Sequence, residues 1–376
     1  GYWLCATIGV TGYLVVAFEG IGTFTDTPEC IIFGQGNTFY AFMGESLIVW
    51  VIYWLASRGV KEAAGVNLIA TIVKVFPLLL FIALALWYFN GATFNTDFNG
   101  ATLGTSTLTQ VKDTMLITLW VFTGVEGAAI LSAHAKKRSD VGLATVLGIL
   151  IALVLYIAIT VLALGILSRA DIAALPNPSM AGVLQAMMGT AGKIIITLCL
   201  IVSVLASYLS WILYSMEVPY YGAKYGAFPK TLLAQNARGV PHHSLLFSCL
   251  TIQICLLLVQ LTSNSYSTLL KISTSMILVP YLLIGAYLLR IAWRERLTLH
   301  IRLTAVLATL YAVWILYAAG IEHLLLAALL YVPGVALFLY AQTRFHGHFP
   351  ALRSYEKAIL LLLALLFIQA IRQLTM

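Results

Sequence analysis

The chain has 376 residues, 61% of them hydrophobic and only 9% charged, with a mean hydropathy of +0.96. Such a composition excludes an ordinary soluble domain. The net charge of +7 does not argue for nucleic acid as a partner, because the basic residues follow a topological pattern set out below.

Backbone polar groups inside a bilayer must be satisfied internally, so a chain this apolar crosses as helices or as a closed barrel. The apolar runs are about 20 residues long, enough to cross ~30 Å as helix, whereas barrel strands are ~10-residue alternating segments. In chain order they predict eleven spans, near 1–22, 40–57, 63–89, 113–133, 141–167, 191–221, 244–262, 266–290, 302–319, 321–341 and 356–374. The loops between them reach roughly 20 residues without a periodic pattern of their own, so 1–376 reads as a single transmembrane domain. Because Tyr2 to Val16 are membrane-like with no charged leader before them, the chain reads as a fragment. The cysteines, at 5, 30, 199, 249 and 255, have no paired spacing, so neither a disulfide framework nor a metal site is expected.

Every second loop is basic: Arg58 and Lys61; Lys136, Lys137 and Arg138; Lys224, Lys230 and Arg238; Arg290, Arg294, Arg296 and Arg302; Arg344, Arg353 and Lys357. These fifteen of the 21 Lys and Arg residues mark the cytoplasmic side, which places Gly1 on that side of a cell inner membrane.

The fourth span contains Trp120, Thr123, Gly124, Val125, Glu126 and Gly127, a carboxylate between two glycines deep in a helix. A charge in a span costs ~2.5 kcal/mol or more and usually faces a cavity or a partner. Flanking glycines ease local unwinding, which would offer backbone groups to a polar solute. The alternative is a close-packed glycine surface with Glu126 paired to a neighbouring helix. Lys74, about 11 residues into its span, lies ~16 Å deep and needs carbonyls, a carboxylate or cavity water around it. Glu19, Glu217 and Lys271 lie near span ends, where snorkelling explains them, and Glu217 has a further possible role as an inner-gate partner for Lys224 or Lys230. Trp120 and Trp211 sit mid-helix, away from the interfacial belts, which suits either packing or closure over a cationic solute. The histidines fall in loops or at helix ends without HExxH, and no GxxxxGK[ST] loop is present, so neither a membrane enzyme nor an ATP-driven pump is expected.

Trp120–Ala128, Ala135–Thr145, Asn177–Gly182, Ala223–Pro229 and Leu278–Tyr281 together resemble the basic amino acid/polyamine antiporter family of the amino acid-polyamine-organocation superfamily. The resemblance implies an all-α fold of five plus five helices in inverted repeat, with substrate held midway by two discontinuous helices. On that alignment the chain enters at helix 3. Residues 1–90 then hold helices 3 to 5, residues 113–290 the second repeat, helices 6 to 10, and 302–376 extra helices of an intact protein of about thirteen. Trp120 matches the helix 6 aromatic over the substrate, Glu126 the helix 6 acid of gating or substrate charge, and Trp211 the helix 8 aromatic beneath it. Lys74 matches the helix 5 lysine of proton-linked relatives, and Tyr281 a helix 10 gate aromatic. Val10 departs from the asparagine often found in helix 3, and Lys271 is atypical.

The resulting expectation is alternating-access exchange of arginine or lysine for a related amino acid or amine such as ornithine, with no cofactor and no covalent chemistry. Its partners are amino acids and the bilayer, with a homodimer as the possible assembly. A proton-coupled symporter using Lys74 is the first alternative, and a channel or helical scaffold the alternative of another class.

Overall fold

The computed structural model describes residues 1–127, 137–176, 178–262, 266–346, 352 and 354–375. Within these, the side chains of 60–71, 73, 74, 138, 139, 346, 355 and 373–375 are not described. His134, Lys136, Asn177, His348 and Arg353 of the sequence reading lie outside the described residues, as does the Lys74 side chain.

The helices are α1 (Tyr2–Thr25), α2 (Phe39–Ser57), α3 (Val60–Tyr88), α4 (Gly91–Asn95), α5 (Thr107–Phe122), α6 (Arg138–Ala163), α7 (Arg169–Ala174), α8 (Ser179–Met188), α9 (Thr190–Lys224), α10 (His242–Thr262), α11 (Tyr266–Arg294), α12 (Leu299–His346) and α13 (Ser354–Thr375). Among the described residues there is no strand, and seven helices are long and apolar enough to cross a membrane. α5 stops after 16 residues, short of a full crossing. α12 is two helices joined across a kink at Gly320 (φ 79°, ψ 169°), between the expected spans 302–319 and 321–341. The loops after α3 and α6 depart from expectation, because they carry the short helices α4, α7 and α8. Local capping explains two of these: Asn90 Oδ1 accepts the Ala92 N–H and Ser168 Oγ accepts the Asp171 N–H.

α1 is the central helix, packed on α9, α10 and α11, with every residue from Cys5 to Gly12 buried. Its small residues permit that crowding: Gly12 lies against Tyr266 of α11 and Gly20 against Ile201 of α9. Thr7 and Thr11 return their hydroxyl hydrogens to the carbonyls of Trp3 and Thr7, so neither polar group needs an outside partner.

Two prolines interrupt helices inside this packing, and each leaves the carbonyl four residues earlier without its amide donor. Opposite Pro219, Ser248 of α10 donates to Ser215 O at 2.7 Å, itself receiving the Trp3 indole N–H at 3.0 Å. Opposite Pro280, Tyr331 of α12 donates to Met276 O at 2.5 Å. Neighbouring helices thus supply what the prolines remove.

Beyond the ends of α3 and α6 the connecting segments are latched together. The Asn90 N–H donates to Gly165 O at 2.9 Å, and the Arg169 guanidinium donates to Asp97 Oδ2. The Thr102 hydroxyl and then Arg169 hold the Asp97 carboxyl down to about 2. A depressed acid contributes stability above its unfolded value, ~3.9, and loses it as pH falls through the folded value.

The latch is therefore expected to be independent of pH between 5 and 8 and to fail between ~4 and about 2. Limited proteolysis of residues 89–106 across that range checks this, with early cleavage at pH 6 as the contrary result. Ser248→Ala and Tyr331→Phe should each lower the melting temperature in detergent, by the equivalent of ~1 kcal/mol, because each strands a carbonyl inside the bundle. Unchanged melting of both variants would contradict the assignment.

Candidate functional site: a broken helix enclosed by aromatic side chains

The sequence Thr123-Gly124-Val125-Glu126 forms a turn and not a helix. Thr123 is extended (ψ 130°) and Gly124 has φ 107°, a backbone state that L side chains avoid. The break is held locally. The Gly124 N–H donates to Glu126 Oε2 at 2.9 Å, the Gly127 N–H donates to Gly124 O at 2.9 Å, and the Thr123 hydroxyl donates to Leu119 O. Where helix α5 can no longer satisfy the Val121 carbonyl, Tyr156 of α6 donates to it at 3.1 Å.

The two glycines also make room for α9. A Cβ on Gly124 would come 2.8 Å from Trp211 Cζ2, and one on Gly127 would run into the Tyr214 hydroxyl. Trp211 and Tyr214 meet edge to face at 5.5 Å. On the opposite flank Trp120 lies over α1 at Gly9, where a Cβ would come 2.5 Å from Cη2, and its ring centre is 6.3 Å from that of Tyr13. Tyr13 in turn neighbours Trp211, and Tyr266 neighbours Trp120. Five helices, α1, α5, α6, α9 and α11, thus bring aromatic side chains around one break.

Glu126 is half-buried. Its Oε1 is closed off from solvent and makes no well-formed hydrogen bond among the described residues, although the Tyr2 and Tyr281 hydroxyls stand beside the carboxylate. Tyr2 of α1, Tyr281 of α11 and Tyr214 of α9 lie within electrostatic reach of the carboxylate, and the Tyr2 hydroxyl is itself buried without a bond. A carboxylate ringed by phenols and indoles suits a polar cationic guest.

Of the residues singled out from sequence, Trp120, Thr123, Gly124, Val125, Glu126, Gly127, Trp211 and Tyr281 are brought together here. Lys74 lies in α3, with its side chain outside the description. Glu217 is buried in α9 beside Tyr221, while the Lys224 ammonium lies over the Tyr221 ring and that of Lys230 over Phe345. Lys271 is exposed and Glu19 half-buried, consistent with positions near span ends. Sequence reasoning missed Tyr2, Tyr13, Tyr214 and Tyr266. Helical spacing offered one clue: Tyr214 is three residues beyond Trp211, on the same face. Among the described residues no cluster of metal-ligating side chains occurs.

The family model for amino acid permeases matches residues 1–363. The chain is 48% identical over 360 residues to the putative arginine/ornithine antiporter of Escherichia coli K12, covering 96% of this chain and 77% of that one. It is 39% identical to the arginine/ornithine antiporter of Pseudomonas aeruginosa, covering 96% and 76% of the two chains. To the arginine/agmatine antiporter of Chlamydia felis it is 36% identical, covering 91% and 72%. A multi-pass transporter built of apolar helices, it belongs to the amino acid permease family.

Proposed function

We propose that the protein is an antiporter that exchanges arginine or lysine for a related amino acid or amine such as ornithine by alternating access, and that the break in α5 is its solute site. The observation that carries this reading is the half-buried Glu126, bonded by one oxygen to the Gly124 amide and left with the other free among phenols and indoles. A guanidinium or ammonium supplies charged donors stronger than the neighbouring phenols of Tyr2 and Tyr281. Trp120 and Trp211 on either side offer ring faces to the same cation, and the turn at 123–127 presents backbone groups to the α-amino and carboxylate ends. The names of the similar antiporters point to the same solute class.

In this reading all eleven apolar segments cross the membrane, with α12 counted as two spans at its Gly320 kink. The chain contributes helices 3 to 5 of one repeat and all of its inverted counterpart, followed by extra helices. The basic loops put Gly1 on the cytoplasmic side of a bacterial inner membrane. Tyr281 and Glu217 act in gating, Lys74 in coupling, and two copies pair as a homodimer.

Counterflow in proteoliposomes of the intact protein provides the test. Radiolabelled arginine should enter vesicles loaded with ornithine and not empty vesicles. Entry into empty vesicles driven by a pH gradient alone would favour the symporter, and currents far above carrier turnover a channel. Glu126→Gln and Trp211→Ala should each reduce exchange by at least about tenfold, equivalent to ~1.4 kcal/mol, whereas a scaffold predicts both to be silent. Gly124→Ala meets a backbone cost of ~1–2 kcal/mol together with the Trp211 clash, so it should lower both the melting temperature and exchange. Wild-type behaviour of that variant would contradict the observed turn.

A further inference from the structure

A second acid lies within the bundle, away from the α5 break. Glu45 is on α2, about 9 Å along the helix from its start at 1.5 Å per residue, and is only 1% exposed. It belongs to the buried stripe Ala41, Glu45, Val49, with apolar neighbours one turn to either side. That stripe packs chiefly on α10, with α1 and α9 beside it. Phe18 of α1 fills the space next to Gly44, and Gln253 of α10 donates its side-chain N–H to Ser46 Oγ at 2.7 Å. Glu45 Oε1 is enclosed and finds no donor among the described residues, and Gln253 Oε1 is in the same condition.

An ionised carboxylate accepts hydrogen bonds and cannot donate them, so it fits poorly where donors and cations are missing. A protonated carboxyl fits better, because it carries no charge and adds one O–H donor to a contact that already holds spare acceptors. The titratable groups on the helices packed against α2 near this level are Glu19 of α1, Lys193 and Cys199 of α9, Cys255 of α10 and Lys74 of α3. Among the described side chains none bonds to Glu45 or forms an ion pair with it. α3 touches α2 to about the same extent as α9 does, and packs mainly on α9.

We infer that Glu45 is a proton-binding site, held as a neutral carboxylic acid in the dry contact between α2 and α10 and separate from the solute carboxylate Glu126. Opening that contact to water releases the proton, and closing it takes one up, so the site ties a proton to movement of these helices.

Infrared difference spectra of the intact purified protein, wild type against Glu45→Gln at pH 7, test the inference without any solute. The expected result is a carbonyl stretch of a protonated carboxylic acid in the wild type that the variant lacks. A carboxylate band in its place, as a charged pair with Lys74 would give, overturns it. If Glu45→Gln does not fold, Glu45→Asp must move the band, and an unmoved band has the same adverse meaning. Proton release on adding arginine, followed with a pH-sensitive dye, should drop at least twofold in Glu45→Gln, and undiminished release rules out the coupling. The infrared result does not depend on which solute is carried, so its failure is distinct from failure of the antiporter reading.

Discussion

The satisfaction of backbone groups in hydrocarbon is the constraint on which this structure depends. A helix can open inside a bilayer only where other groups, on the same turn or on neighbouring helices, take over the freed amides and carbonyls. At the α5 break Glu126 takes the Gly124 amide and Tyr156 supplies the Val121 carbonyl. At the proline sites of α9 and α11, Ser248 and Tyr331 do the same for Ser215 and Met276. The freed carbonyls are therefore supported from neighbouring helices, while the Gly124 amide is held within its own turn by Glu126.

That support explains the shape of the site. α1 is buried and lined with small residues, which lets Trp120 come close over Gly9 while α9 presses Trp211 and Tyr214 against the glycines on either side of Glu126. The carboxylate then has rings from several helices around it. Each helix contributes a wall, so relative motion of α5 against α1 or α9 changes the enclosure without breaking a helix anew. A hinge already present at 123–126 has little further backbone cost to meet when it moves.

Much of this was legible in the residues. The Gly-Val-Glu-Gly run pointed to easy unwinding or to a close-packed glycine surface, and both features occur: Gly124 reaches φ 107°, and the glycines lie against Trp211 and Tyr214. The separation of two apolar runs at Gly320 matched the kink in α12. Hydropathy located the long helices, seven of which are long and apolar enough to cross, because bilayer thickness fixes their length. The tyrosines were not legible, since aromatics are common in apolar helices and only tertiary packing shows which of them face Glu126. Glu45 escaped notice for a related reason. It sits six residues from a helix start, where an acid ordinarily snorkels, and its burial depends on α10 lying across it. The short helices in the loops follow from capping by Asn90 and Ser168, signals too local to stand out beside the long apolar runs.

The account turns on whether the opened stretch of α5 is wetted and reached by solute. Thiol labelling settles this most directly: Val125→Cys in a protein whose native cysteines are replaced, treated with a membrane-impermeant thiol reagent with and without arginine. The account predicts labelling from the aqueous phase and its suppression by arginine. A folded protein whose position 125 stays unlabelled on both sides of the membrane, or labels equally in the presence of arginine, would show a dry, packed break and contradict it.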